Sequence, residues 1–329
     1  MSDLPTVSVA IPVYNEGIVV SELLLRTEAV LDQIPGGPHQ IVVVDDGSSD
    51  QTWELLEQAA KKDSRVIAIA LSRNFGHQIA LGAALDYVSG DVTVLMDGDL
   101  QDPPEAIPLL LEHYRRGYDV VYAQRVNRKE AWWLRACYYI FYRVVRALSS
   151  IQLPLDAGDF SLLSRRVTQE IRRMREHHRY LRGMRTWVGF RQIGVPIDRA
   201  ARRRGHTKYS PLSLLKLASD GIFAFSIVPL RAAAILGATA IALSILYAIY
   251  SLYAKFWLGS PQGFTALILA ITFLSGMNLF FLGIIGEYIG RVYEEAKGRP
   301  HYVVREVVGR ANHRIEVAEE LERTGINYD

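Results

Sequence analysis

Two long stretches of this chain contain no charged side chain. One runs from Ala232 to Ala254 and the other from Phe264 to Gly286. Each is about 23 residues, enough helix to cross a bilayer core. Both are rich in Leu, Ile, Ala and Phe, and only the short connector KFWLGSPQG separates them. A buried hairpin in a soluble core is the competing reading, but two such runs back to back favour two membrane spans. Basic residues set the expected orientation. The connector holds only Lys255. Arg199, Arg202, Arg203, Arg204, Lys208, Lys216 and Arg231 come before the first run, and Arg291, Lys297 and Arg299 follow the second. The positive-inside bias then puts both termini and the large N-terminal region in the cytoplasm, with the connector outside. The N-terminus MSDLPTVSVAIPVYNE lacks a basic segment followed by an apolar core, so no cleavable leader is expected.

The rest of the chain reads as a globular domain. A length of 329 residues allows one large domain or two smaller ones. A net charge of +2 is too small to argue for nucleic acid, and the basic residues cluster beside the apolar runs instead. The single cysteine, Cys137, excludes an intrachain disulfide and fits a reducing compartment. Up to about residue 120, strand and helix patterns alternate. Strands are expected at Val7–Pro12, Gln40–Val44, Val66–Leu71 and Val92–Met96. Helices are expected over Ile18–Leu31, 51–62 and Gln78–Tyr87. This alternation predicts a three-layer α/β domain with a mostly parallel sheet. His301–Val308 alternates enough for one more short strand.

Ligands of such sheets bind beyond the carboxyl ends of the strands. Three polar clusters fall there: Tyr14-Asn15-Glu16, Asp45-Asp46 and Asp97-Gly98-Asp99. Asp97 and Asp99 flank a glycine that lets the backbone approach closely. Carboxylates so placed suit Mg²⁺ or Mn²⁺, which take oxygen ligands and commonly bridge to substrate phosphates. Two aspartates in a loop are more often solvated turn residues. Here a second acidic pair and a basic cluster accompany them. Asp102-Pro103-Pro104-Glu105 has the simpler reading of a helix start with acids in its first turn. The chain has no phosphate-binding Gly-x-x-x-x-Gly-Lys-Ser/Thr loop, no Gly-x-Gly-x-x-Gly after a strand and no Cys/His set at zinc spacing. A carboxylate-bound cation with a diphosphate points to a nucleotide or nucleotide-sugar substrate.

Six motifs occur in order: IPVYNE (11–16), VVVDDGSSD (42–50), LSRNFGHQIAL (71–81), MDGDLQDPPE (96–105), AGDFSLLSR (157–165) and IIGEYIGRVYEEAKGRP (284–300). Together they resemble family 2 glycosyltransferases of the polyprenyl-phosphate type, such as dolichyl-phosphate mannose synthases and two-span bactoprenol glucosyltransferases. The resemblance runs from Val7 to about Val304. It implies a GT-A fold, Rossmann-like with a mostly parallel sheet, followed by two transmembrane helices. It also implies inverting transfer of one sugar from a nucleotide diphosphate to a lipid phosphate.

On that resemblance, Pro12, Tyr14 and Glu16 border the nucleotide, and Asp46 with the backbone near Val44 contacts the base. Asp97, Gly98 and Asp99 meet the diphosphate or metal, and Gln101 completes the metal shell. Arg125 faces a donor or acceptor phosphate. Arg202 and Lys208 match a flexible loop that closes over the diphosphate, and Asp159 matches the acidic residue proposed as catalytic base. The resemblance further implies a homo-oligomer, a tetramer, with UDP-glucose as the first-choice donor and undecaprenyl phosphate as acceptor. GDP-mannose is the alternative donor.

The chemistry supports these roles separately. Charge builds on the leaving β-phosphate, and a divalent cation with Arg202 and Lys208 stabilises it. The nucleophile is a phosphate oxygen, already anionic, so it hardly needs a base. Asp159 is then better suited to orienting the sugar or stabilising an oxocarbenium-like centre. Its plainer reading is a turn aspartate capping its neighbours.

The expected layout is a GT-A domain over 1–212, a juxtamembrane amphipathic segment over 213–230, two helices within 231–290 and a cytoplasmic tail over 291–329. Trp132–Leu148 reads equally as a membrane-surface helix or a packed helix of the domain. Arg203 and Arg204 are expected to meet anionic lipid headgroups. Arg172, Arg173, Arg175, Arg179 and Arg182 read as a solvated or lipid-facing surface, His77 reads as structural, and His177 and His178 carry no role. Two other classes fit less well. A processive polysaccharide synthase would carry Gln-x-x-Arg-Trp, and Arg182 to Trp187 has the wrong spacing. A non-catalytic lipid-binding or transport subunit would lack the reason to keep Asp97, Asp99 and Asp159, and uncharged spans offer no transport path.

Overall fold

The computed structural model describes residues 4–125, 157–174, 176, 179–198, 228–257 and 263–309. These residues fall into two units. One holds the described residues up to 198 together with 300–309, and the other holds 228–257 and 263–299.

The first unit is an α/β domain. Its strands are β1 (Val7–Val13), β2 (Gln40–Asp45), β3 (Val66–Leu71), β4 (Val92–Leu95), β5 (Val120–Arg125), β6 (Ala157–Ser164), β7 (Gln192–Ile197) and β8 (Val304–Val308). They form one sheet in the order β7-β5-β6-β4-β1-β2-β3-β8. β1, β2, β3 and β4 are parallel neighbours. β6 runs antiparallel to both β4 and β5, and β8 antiparallel to β3. Every residue of β1 and β3 is buried. Such unbroken apolar runs mark strands covered on both faces. The helices are α1 (Val20–Gln33), α2 (Thr52–Lys62), α3 (His77–Tyr87), α4 (Ile107–Arg115), α5 (Arg165–Arg173) and α6 (Leu181–Trp187). Two apolar cores result, one per face. Leu23, Leu31 and Leu56 pack with Ile11, Val43 and Phe160 on one side. Leu81, Leu85 and Met184 pack with Val44, Ile69 and Leu163 on the other.

This topology positions a site. β1 has β2 on one side and β4 on the other, so the chain order reverses between β1 and β4. The crevice beyond their carboxyl ends is where ligands bind in open α/β sheets. Because β6 is antiparallel, its amino end lies at that same edge.

The second unit contains two long helices, α7 (Val228–Trp257) and α8 (Phe264–Ala296). The expectation of two spans is met in part. Among the described residues, one stretch, Phe273–Ala296, is long and apolar enough to cross a membrane, and α7 supplies a shorter apolar stretch, Ala232–Tyr247. The α8 stretch also ends later than Gly286. Arg291 with Glu287 and Lys297 with Glu294 form pairs one helical turn apart that carry the helix through its charged end. The strand expected within His301–Val308 is present after α8. Ser72 donates its backbone N–H to the Val303 carbonyl, and Val304–Val308 extends the sheet beside β3.

Candidate active site

The site grows from the loops after β1, β2 and β4. After β1, Tyr14 is exposed and Asn15 takes a positive φ of 55°. Asn15 donates its backbone N–H to Ser48 Oγ (2.9 Å), and its Oδ1 accepts from the Ser49 N–H (2.8 Å). Glu16 donates its N–H to Thr52 Oγ1, and Gly17 donates to Asp50 Oδ2. The loops after β1 and β2 are thus one hydrogen-bonded unit. Gly47 is required within it, because its φ is +72° and a Cβ there would lie 2.6 Å from the Arg73 carbonyl carbon. Pro12 and Val44 are buried inside their strands, so any contact they make with a ligand runs through backbone.

Asp46 has a definite task. Its Oδ1 accepts the Phe75 N–H at 2.7 Å and its Oδ2 the Gly76 N–H at 2.9 Å. Burial raises its pKa, against those two donors. With both oxygens the carboxylate accepts from the loop that starts α3.

After β4, the glycine of Asp97-Gly98-Asp99 has a steric reason. A Cβ on Gly98 would sit 2.7 Å from Val13 Cγ1 and 2.9 Å from the Pro12 carbonyl oxygen. Only glycine lets the end of β4 lie against β1. Asp99 Oδ1 accepts the Gln101 N–H at 3.1 Å, and Leu100 between them is buried with φ at 57°. A left-handed leucine costs on the order of 1 kcal/mol, which its burial in the core offsets.

Asp159 reaches this edge from the start of β6. Arg182 of α6 grips both its oxygens, Nε to Oδ1 at 2.6 Å and Nη2 to Oδ2 at 2.7 Å. Burial pushes the Asp159 carboxyl up, but the Arg182 guanidinium outweighs it and holds the group well below the usual carboxylate range. His77, at the start of α3, places Nε2 3.3 Å from Asp97 Oδ1. Burial lowers the imidazole pKa, and the Asp97 carboxylate overcomes that and leaves it raised. His77, Asp97 and Asp159 each bring one potential ligand atom within 4.8 Å of the others.

Behind Asp159 lies Arg185, only 1 % exposed. Its Nη1 donates to the Gly158 carbonyl at 3.0 Å, and its guanidinium carbon lies 5.0 Å from the centre of the Tyr122 ring. Burial lowers its pKa to about 10, so it remains a cation at neutral pH.

The structure thus brings together Asp97 and Asp159 of the expected set, while Asp99 follows Asp97 in the same loop and accepts the Gln101 N–H. Arg125 closes β5, with only its backbone described, and Arg202 and Lys208 lie outside the described residues. His77, Arg182 and Arg185 join the site although sequence reading set His77 and Arg182 aside and passed over Arg185. The readings of Arg182 and Arg172 as solvated surface are corrected. Arg182 pairs with Asp159, and Arg172 donates to the Leu85 and Val88 carbonyls at the end of α3. One signal was present: two arginines three residues apart in RGMR share a helix face, which needs a carboxylate if that face turns inward.

A family model described as glycosyl transferase family 2 matches residues 8–172. A glycosyltransferase YkcC of Bacillus subtilis, described as uncharacterized, is 42% identical over 94% of this chain and 96% of its own length. The chain belongs to glycosyl transferase family 2. It is an enzyme with the GT-A fold, and the edge just described is the carboxyl edge of its glycosyltransferase sheet. A second model, described as the GtrB C-terminal hairpin, matches residues 228–292 of this glycosyltransferase, the stretch of α7 and most of α8. The SfII prophage-derived bactoprenol glucosyl transferase of Shigella flexneri is 34% identical over 91% of this chain and 97% of that protein. The undecaprenyl-phosphate 4-deoxy-4-formamido-L-arabinose transferase of Edwardsiella ictaluri is 35% identical over 95% and 98%.

Proposed function

We propose that this glycosyltransferase moves one sugar from a nucleoside diphosphate sugar to a polyprenyl phosphate, with inversion at the anomeric carbon. The observation that carries the reading is the gathering of Asp97, His77, Asp159 and Arg182 at the crevice between β1 and β4. Relatives with two different sugars in their names share a polyprenyl acceptor, and the hairpin match extends beyond the catalytic domain. A lipid acceptor held in a membrane and a soluble donor held by an α/β domain require an anchored enzyme, which the hairpin provides. The proposed setting is the cytoplasmic face of the cell (inner) membrane, as a homo-oligomer, with undecaprenyl phosphate as acceptor. UDP-glucose is the first donor to test and GDP-mannose the second.

In the reaction, the anionic oxygen of the lipid phosphate forms a bond to the sugar C1. The bond from C1 to the β-phosphate oxygen breaks on the opposite face, and the nucleoside diphosphate leaves with the electron pair. Asp97, with the His77 imidazole facing it and Asp99 two residues on in the same loop, would hold Mg²⁺ or Mn²⁺. A divalent cation bound there would neutralise charge on the departing diphosphate. Asp159 differs from these two acids, because Arg182 occupies both its oxygens. It is assigned to orienting the sugar and to facing positive charge developing at C1. Arg125, Arg202 and Lys208 are assigned to the phosphates, and the loop joining Tyr14 to Asp46 is assigned to the nucleoside.

Purified protein in detergent, a short-chain polyprenyl phosphate, Mg²⁺ or Mn²⁺ and a panel of radiolabelled nucleotide sugars test this directly. Label from one donor should enter the organic phase, and Asp99→Ala should abolish the transfer. Folded wild-type protein that transfers from no donor overturns the reading.

A further inference from the structure

Arg182 and Arg185 sit one turn apart on α6, and both face the start of β6, yet they are used differently. Arg182 keeps 28% of its side chain exposed and pairs with both Asp159 oxygens. Arg185 is the bulkiest fully buried side chain among the described residues. It donates one hydrogen bond, to the carbonyl of Gly158, the residue before Asp159. Its Nε and Nη2 have no hydrogen-bond partner among the described residues. A buried guanidinium normally finds several acceptors, since each unpaired donor is costly. The partly exposed arginine thus has a carboxylate on its fork, and the fully buried one has a single carbonyl.

We infer that Arg182 and Arg185 exchange Asp159 between them: Arg182 turns outward to a substrate phosphate, and Arg185 takes up the carboxylate that Arg182 leaves. Arg185 is then the positioning residue for Asp159 during transfer, and Arg182 is a phosphate-binding residue. The inference rests on the proposed reaction for its kinetic part only. Three features favour the exchange. Arg182 has the accessible, planar fork that suits a phosphate. Leaving Asp159 unpaired in this buried place would be strongly unfavourable, so its release needs a second cation. Arg185 is already fixed beside it, by the Gly158 carbonyl below and the Tyr122 ring at 5.0 Å. The phosphate belongs either to the donor or to the lipid acceptor, and the chemistry is the same for both.

The first test needs no activity. Full-length Arg182→Met and the double variant Arg182→Met, Asp159→Asn are compared by thermal unfolding in detergent. If Arg185 captures Asp159 once Arg182 is gone, removing the acid's charge breaks a new pair, and the double variant melts lower. If Asp159 is stranded, removing its charge relieves the protein, and an equal or higher midpoint overturns the exchange. This comparison stands even where the wild type transfers no sugar to polyprenyl phosphate, so the two readings fail separately. With transfer established, Arg185→Met should lower kcat by at least ~10-fold with both KM values held within about 2-fold. Arg185→Lys should recover most of that loss. Arg182→Met should raise KM for the nucleotide sugar if the phosphate is the donor's, or for the polyprenyl phosphate if it is the acceptor's. Folded Arg185→Met with wild-type kcat, or Arg182→Met with both KM values unchanged, overturns the assignment.

Discussion

Leu85 in α3 and Leu279 in α8 are the same residue in two apolar helices of one chain. Leu85 is fully buried, whereas Leu279 keeps 70% of its surface exposed. The apolar surface of α3 is covered by protein: the sheet lies on one side, and Val167, Ile171, Leu181 and Met184 of α5 and α6 cluster with it. The apolar surface of α8 is not. Phe273, Phe280, Leu282 and Ile285 stay exposed along it, and lipid is the cover proposed for them. The two helices also treat charge differently. α3 has fixed polar groups at both ends: His77 faces Asp97 and Asp46 ties down the preceding loop, while Arg172 donates to the Leu85 and Val88 carbonyls. α8 postpones charge until Glu287. An apolar helix is therefore no single signal. What lies against it decides whether it builds a core or an anchor.

Equivalent truncations should separate the two helices most sharply. Leu85→Ala removes a fully buried side chain and should cost about 2–5 kcal/mol of domain stability. Leu279→Ala in the same detergent should change unfolding by less than ~0.5 kcal/mol. Chemical denaturation followed by circular dichroism measures both, and similar losses would break the comparison. A charge should reveal what covers α8. Leu279→Arg should leave catalytic-domain unfolding intact but weaken membrane insertion by about 2.5–3.5 kcal/mol. Carbonate extraction of membranes reads this as protein moving to the supernatant, and unchanged retention would place Leu279 away from lipid.

The polar start of α3 gives a smaller effect. Asp46→Asn keeps the shape but replaces one acceptor with a donor facing a backbone N–H. It should destabilise the domain by about 1–3 kcal/mol, and slow amide exchange at Phe75 and Gly76 should be lost. An unchanged melting curve would show that the loop does not need its carboxylate.

The smallest effect is on pH. Asp63 is held below its ordinary pKa chiefly by the Arg65 hydrogen bonds, and Asp91 by the Thr6 backbone N–H and hydroxyl. Carboxylates depressed in the fold stabilise it above about pH 4, and that contribution is lost as pH falls through their folded pKa. Burial raises Asp45 and Asp46, which act in the opposite sense and offset part of the loss. Asp63→Asn should therefore make the fall in melting midpoint between pH 5 and pH 3.5 shallower, where those pH values are approximate bounds of the window. Circular dichroism melts across that window check the sign.

Much of the domain was legible because its strands are strong local signals. Val7–Val13, Gln40–Asp45 and Val66–Leu71 are apolar runs ending in turn residues, and the helices begin within two residues of the expected positions. Asp97, Asp99 and Asp159 were legible as types in motifs. The partners of those acids were not. RGMR with the Trp187 that follows looks like a surface helix carrying an aromatic residue. In the fold, Trp187 is 66% exposed and Arg185 goes inside. No local rule sends an arginine inward and a tryptophan outward. Here Arg185 is drawn to the Gly158 carbonyl and the Asp159 charge, which come from another strand.

The sequence by itself determined that this chain has an alternating α/β domain, acids at its strand ends and a charge-free hairpin. Each follows from neighbours along the chain, through period, turn chemistry and the absence of charge. Tertiary structure alone decided which acids meet. β6 inserts antiparallel between β4 and β5, so the beginning of one strand lies at the ends of its neighbours and Asp159 arrives beside Asp97 and His77. Whether an arginine there is solvated, paired or buried without a full set of acceptors depends on distances between segments far apart in the chain. Those distances exist only after the strands have taken their order in the sheet.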